Sequence, residues 1–220
     1  MKNLSFLTLT ILLLISVGCQ DDFLDLKPQD AISEENVWND LNLIELYVND
    51  RYNELPHGFP QWAGGLRMTG ITDETYHMHE ARFLDKYTQG GLTSGSLNMY
   101  YFNGFWLDAY KAIRNQNIFL ENIERYQPKA GEDEKIAQMT ADIRFLRAFF
   151  YTELISRYGG VPLITQPFNV NSNFNVSRAS FDDCLNFIVS ELDVTVQDLP
   201  NRNDAVGASL GRITKGAAIG

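Results

Sequence analysis

The sequence predicts an all-α fold of helical hairpins interrupted by one long irregular loop excursion. Three observations predict it. Residues 132–158 carry a helical apolar period with both ends marked: Glu132, Asp133 and Glu134 at the start, and after the end Gly159 and Gly160, expected as a left-handed cap, with Pro162 blocking continuation. Residues 106–126 carry a second such period, separated from the first by a short turn containing Pro128 and Gly131. Between 56 and 104 no long period survives, while glycines and aromatics recur.

In order along the chain, residues 1–18 read as a secretory signal and not as part of the fold. Lys2 supplies the positive start, and the apolar run from Phe6 to Val17 is broken only by Thr8, Thr10 and Ser16. Ser16-Val17-Gly18-Cys19 has the form of a lipobox, with Ser16 where Leu is commonest. We therefore expect Cys19 to be the lipidated first residue of the mature chain, anchored by its acyl chains at ~0.8 kcal/mol per buried methylene. Asp21 and Asp22 follow at once, as acidic residues do in lipoproteins exported to the outer face of an outer membrane. The other cysteine, Cys184, lies in an apolar helical pattern and reads as a buried free thiol.

Residues 19–220 are enough for one domain with a substantial core. The composition is globular at 45% hydrophobic. A formal charge of −10 argues against nucleic acid as a partner, since phosphate backbones reward basic surfaces.

The first mature helix is predicted from near Ser33 to about Leu55, with Val37, Leu41, Ile44, Tyr47, Val48 and Tyr52 on its buried side. Pro56 and Gly58 end it. In the loop excursion, Thr72-Asp73-Glu74 is expected to cap a short helix. The helix from Trp106 has Trp106, Ala109, Tyr110, Ile113, Leu120 and Ile123 in its stripe, with Asn117 in line. With the long helix it forms a hairpin whose contents look tetratricopeptide-like, although no strict 34-residue period recurs.

In the long helix, Ile136, Met139, Ile143, Leu146, Phe150 and Leu154 trace one face, and Phe145, Phe149, Tyr151 and Ile155 widen it. A helix apolar on nearly all sides is packed between others. Glu153 is placed to pair with Arg157. Arg147, set among Phe residues, needs a buried partner and is expected to lock two helices together. Residues 166–179 read as a polar, Asn-rich connection. Ser180 and Asp183 then cap a helix carrying Phe181, Cys184, Leu185, Ile188, Leu192 and Val196. A further helix opens after Gly211-Arg212-Ile213-Thr214-Lys215-Gly216, and the chain reads as the N-terminal part of a longer protein.

Four signals in order resemble the SusD/RagB family of outer-membrane lipoproteins. They are the Cys19-Gln-Asp-Asp-Phe-Leu-Asp-Leu-Lys-Pro start, the Trp106–Ile123 pattern, Arg144-Phe-Leu-Arg147-Ala148 leading through Tyr151 to Tyr158-Gly-Gly-Val-Pro-Leu163, and Gly211-Arg212-x-Thr214-Lys215-Gly216-Ala217. The resemblance implies a tetratricopeptide-like helical scaffold with loops carrying the ligand site. It also implies a cell-surface protein, held to the outer membrane by its lipid, that captures a glycan and passes it to a SusC-like TonB-dependent transporter. Some members take peptides instead, and a tetratricopeptide-like module serving only protein partners is a third reading. Family members are much longer, and their C-terminal part contributes to the ligand surface.

Sugar capture without chemistry needs aromatic faces beside Asn, Asp or Arg side chains. Tyr100, Tyr101 and Asn103, in the segment before Trp106, are the candidate platform, with Tyr76 and Asp73 as weaker additions. Trp106, Tyr110, Arg147 and Gly159 are expected to be structural. The sequence points away from an enzyme: it has no nucleophile elbow, no phosphate-cradling loop and no marked carboxylate pair. His77-Met78-His79-Glu80 lacks an identifiable third ligand, so no metal and no cofactor is expected.

Overall fold

The structure, a computed structural model, describes residues 34–56, 73–74, 89–91, 93, 99–204 and 210–220, with backbone only at 34–35 and 99–104. Six α-helices lie in these residues: α1 (Glu34–Val37), α2 (Leu41–Arg51), α3 (Met99–Ile123), α4 (Asp133–Tyr158), α5 (Phe181–Thr195) and α6 (Lys215–Ile219). The described residues contain no strand, in keeping with the predicted all-α class. None of their helices is long and apolar enough to cross a membrane.

The long helix α4 is the centre of the packing. It spans 26 residues, about 39 Å at 1.5 Å per residue. It packs against α3 and α5, while α2 touches both α3 and α4, and α6 leans on α5. The face expected from the period is the face that is buried: Met139, Ile143, Leu146, Phe150 and Leu154 all lie in the core. Tyr151 and Ile155 are buried with them, which leaves α4 with core on most of its circumference. Two clusters result. One gathers Ile44 and Val48 of α2, Phe119 of α3 and the first half of α4. The other gathers Ala109 and Ile113 of α3, the second half of α4, and Cys184 and Ile188 of α5.

Four local expectations are corrected. The first mature helix is not continuous, because Asp40 adopts extended backbone (φ −128°, ψ 117°) and its side chain accepts from the Asn42 amide, starting α2 afresh. Helix α3 begins at Met99, seven residues before Trp106. The turn at Gly159 has positive φ (69°), but ψ is −145°, outside the left-handed helical region. In α5, Phe181 and Leu185 are about half exposed, while Glu191 and Thr195 take the buried positions.

The paired glycines divide the work of the turn after α4. Gly159 supplies the positive φ. Gly160 supplies space: a Cβ there would lie 2.2 Å from the Ala179 carbonyl oxygen, so only glycine lets the chain return this close. At the other end of α4, the Glu132 carboxylate faces backwards, accepting from the Lys129 amide and the Tyr126 hydroxyl, each at 2.8 Å.

Arg212 anchors the segment before α6. It donates to the Asp142 carboxylate at 2.8 Å and to Asn49, tying the end of the chain to α4 and α2. Asp142 is fully buried, with its Oδ1 unpaired. Burial pushes its carboxyl up to about 6, against the opposing pull of Arg212 and Tyr52. Relative to the unfolded chain, the folded chain thus holds this proton to higher pH. Its contribution to stability is full below pH ~4 and is lost as pH rises through about 6. Denaturant titrations should show wild type losing stability relative to Asp142→Asn across that window, by at most about 1.4 kcal/mol per pH unit. A constant difference between the two proteins from pH 4 to 7 would contradict this.

Candidate functional site

After Pro162 the chain runs as a strap along α3 and α4 with no strand beside it among the described residues, and side chains satisfy its backbone instead. The Tyr110 hydroxyl donates to the Pro162 carbonyl at 2.8 Å. The buried Tyr151 hydroxyl accepts from the Ile164 amide at 2.7 Å and donates to the Ile164 carbonyl at 3.0 Å. Asn117 Nδ2 donates to the same carbonyl at 2.9 Å. Burial pushes the Tyr151 hydroxyl up to about 12 and the Tyr110 hydroxyl higher still, so both stay protonated and able to donate.

Beneath the strap lies a buried charged cluster. Arg147, 4% exposed, donates through Nε (2.8 Å) and Nη2 (2.5 Å) to Glu191 Oε2 and through Nη1 (2.7 Å) to Asn117 Oδ1. Arg144 donates to the other oxygen of Glu191 at 2.7 Å. Three helices therefore meet at one carboxylate: Asn117 comes from α3, the arginines from α4, and Glu191 from α5. The expected partner of Arg147 is thus a Glu on α5, and the amide of Asn117 carries the cluster on to the strap.

On the outer side of this cluster a cleft of about 370 Å³ opens between α3, α4 and the strap. Its walls carry Asn117, Glu121, Glu124, Arg144, Gln166 and Asn169. Carboxylates, amides and a guanidinium at close quarters supply both donors and acceptors, the mixture that recognises hydroxyl groups. Glu121 stands on α3 and Glu124 in the turn just past its end, on the same wall of the cleft and not across it as a glycosidase pair stands. Among the described residues no group of three metal-binding side chains is found.

The residues singled out from sequence are distributed as follows. Tyr100, Tyr101 and Asn103 have helical backbone in the first turns of α3, not in a loop, and their side chains lie outside the described residues. Asp73 is exposed in a bend. Cys19, Tyr76 and the rest of the expected excursion between 57 and 98, apart from 73–74, 89–91 and 93, are also outside the described residues. Trp106 is half-buried between Tyr110, whose ring is tilted to it, and Tyr158, which meets it edge to face, with ring centroids 5.0 Å from each, and Arg178 lies over it. Glu191 and Tyr151 were not singled out as site residues. The signal for Glu191 was a charge falling in line with Cys184, Ile188 and Thr195 on a buried stripe.

Comparison with known proteins gives a consistent result. Residues 22–220 match the profile of a SusD-like family described as starch-binding and associating with the outer membrane. A SusD-like protein of Formosa agariphila is 24% identical over 206 residues, covering 90% of this chain and 39% of the relative. A second from the same organism is 30% identical over 87 residues, covering 40% of this chain and 16% of that relative. A SusD-like protein from Bacteroides fragilis superposes with a TM-score of 0.70 at 28% identity, covering 87% of this chain and 35% of that one. A SusD-like carbohydrate-binding protein from the same species gives 0.67 at 26% identity, covering 84% and 36%. The chain thus spans well under half the length of these relatives.

Removing one side of the charged cluster leaves the other buried and unpaired. Glu191→Ala should therefore destabilise the chain by about 3–5 kcal/mol in urea denaturation. Arg144→Ala, at the half-open edge where water can take its place on Glu191, should cost clearly less than Glu191→Ala. The double variant Arg147→Met with Glu191→Leu should recover much of the loss of either single change. Additive losses in the double variant would contradict a coupled pair.

Proposed function

We propose, from the premise that the chain belongs to the SusD-like family, that it is a surface glycan-binding lipoprotein that captures oligosaccharide or polysaccharide and delivers it to a SusC-like TonB-dependent transporter. The observation that carries this reading is the match across residues 22–220, to a family described as starch-binding at the outer membrane. The B. fragilis neighbour described as carbohydrate-binding supports it. The mature part is residues 19–220, preceded by a signal peptide of residues 1–18. The match begins three residues after Cys19, as it should if the anchor and its signal stand apart from the folded part.

In this reading the chain holds its ligand without chemistry. The helical hairpin is the rigid support, and Tyr100, Tyr101 and Asn103, with Tyr76 and Asp73 from the preceding segment, are the residues assigned to the ligand. Aromatic faces take sugar rings while the amide and carboxylate fix hydroxyls. The negative surface favours a neutral ligand over an anionic one.

Isothermal titration with starch and laminarin oligosaccharides tests the platform. Replacing Tyr100 and Tyr101 together by Ala should weaken binding about tenfold or more with Tm near wild type; unchanged affinity would remove these residues from the site. Metabolic palmitate labelling tests the anchor: wild type should be labelled and Cys19→Ser unlabelled. Equal labelling of the two would place the lipid elsewhere.

A further inference from the structure

Residues 163–177 form a stretch that the proposed platform does not use. In a chain of net charge −10, these fifteen residues (Leu-Ile-Thr-Gln-Pro-Phe-Asn-Val-Asn-Ser-Asn-Phe-Asn-Val-Ser) carry no charged side chain and hold four Asn and two Phe. The stretch is a closed loop. At its base the Ala179 amide donates to the Val161 carbonyl at 3.0 Å, and Arg178 donates to the carbonyls of Tyr158 (2.9 Å) and Gly160 (2.8 Å). Compact loops with joined ends are frequent carriers of function.

Its interior is organised by its own amides. Asn169 Oδ1 accepts from the Asn171 amide and Asn173 Oδ1 from the Asn175 amide, each at 2.9 Å, while Ser172 Oγ accepts from the Asn169 amide at 2.9 Å. Asn169 and Asn173 each engage an oxygen in this way and keep an NH2 group as donor. The rings of Phe168 and Phe174 meet edge to face, 5.3 Å apart. Phe174 is 66% exposed. Beside it lies a concavity of about 330 Å³, lined by Ile164, Gln166, Phe168, Ser172, Asn173 and Val176 among others.

We propose that this loop is a second carbohydrate-contact surface, on which a neutral sugar ring stacks against Phe174 while Asn173, Ser172 and Gln166 bond its hydroxyls. The proposal rests on the glycan reading of the preceding subsection. The ligand chemistry follows from the loop: an exposed ring beside uncharged donors and acceptors suits an apolar sugar face edged by hydroxyls. Protein interfaces favour Trp, Tyr and Arg anchors, and the loop contains none. The surface shares no residue with the Tyr100/Tyr101 platform. At Asn169 the loop lines the cleft with Leu120 of α3, roughly 28 Å along that helix from Tyr101 at 1.5 Å per residue, while at its base Arg178 lies over Trp106. Two contacts on separate residues would let one polymer engage both, with the gain of a linked second site.

The test uses the full chain, with starch and laminarin as probes in affinity electrophoresis and hydrogen–deuterium exchange. Phe174→Ala, at an exposed position, should leave Tm unchanged and weaken retention by polysaccharide about tenfold. Phe174→Tyr should restore it. Exchange in residues 163–177 should slow when glycan is added, and should do so also in the Tyr100→Ala, Tyr101→Ala variant. Wild-type retention that Phe174→Ala leaves intact, or glycan binding without protection of this loop, overturns the second surface alone. A wild type that retains neither polysaccharide and binds no other neutral glycan overturns the glycan reading and this surface together. Protection of the loop by peptides but not by glycans also overturns it.

Discussion

The contact on which the rest of the structure depends is the sharing of one buried carboxylate, Glu191, by two arginines of the central helix. A charge at 5% exposure is costly unless every lone pair is occupied, and here both oxygens are. Energetically, a well-packed apolar substitute could hold three helices as well. What the charged cluster adds is register. Arg147 reaches Glu191 on α5 and Asn117 on α3 at once, so neither neighbour can slide along α4 by a turn without stranding a charge. Asn117 then carries that register to the strap through the Ile164 carbonyl.

The strap shows how a chain can cross a helical core without secondary structure of its own. Its amides and carbonyls would be orphaned against α3 and α4 if Tyr110, Tyr151 and Asn117 did not meet them. Burial raises both phenols, which keeps them as donors at any physiological pH. The same side chains thus fill the core with their rings and replace a missing strand with their hydroxyls. Gly160 completes the device by letting Ala179 return against the end of α4.

Much of this was legible in the sequence where the physics is local. The length of α4 could be read because its period is long and its ends carry acids and glycines. The Ser180–Asp183 cap of α5 could be read because its atoms lie within one turn, the Ser180 hydroxyl accepting from the Asp183 amide at 3.0 Å. What was lost depends on distant residues. Aromatics and Gly104 are poor helix formers, so nothing local announced that α3 would begin at Met99. The choice between Leu185 and Glu191 for the buried face of α5 is made by Arg147, 44 positions before Glu191. The restart at Asp40 is the exception, since an Asp before the apolar Leu41 is a local signal that a continuous reading passed over.

These dependences place the cleft and the concavity at the outer edge of a stiff core. The cleft beside Arg144 and the concavity beside Phe168 lie on either side of the same short strap, sharing Thr165, Gln166 and Pro167. Both inherit their geometry from Ile164, whose amide and carbonyl are held by Tyr151 and whose carbonyl is held again by Asn117. A substitution in the buried carboxylate would therefore reach both surfaces by one route, although neither touches Glu191. The loop beyond the strap is fixed separately, by its own Asn and Ser turns and by Arg178 at its base. A surface built this way keeps its shape from the helices and its composition from the loop. That division lets an uncharged, amide-rich face be carried by a strongly acidic protein.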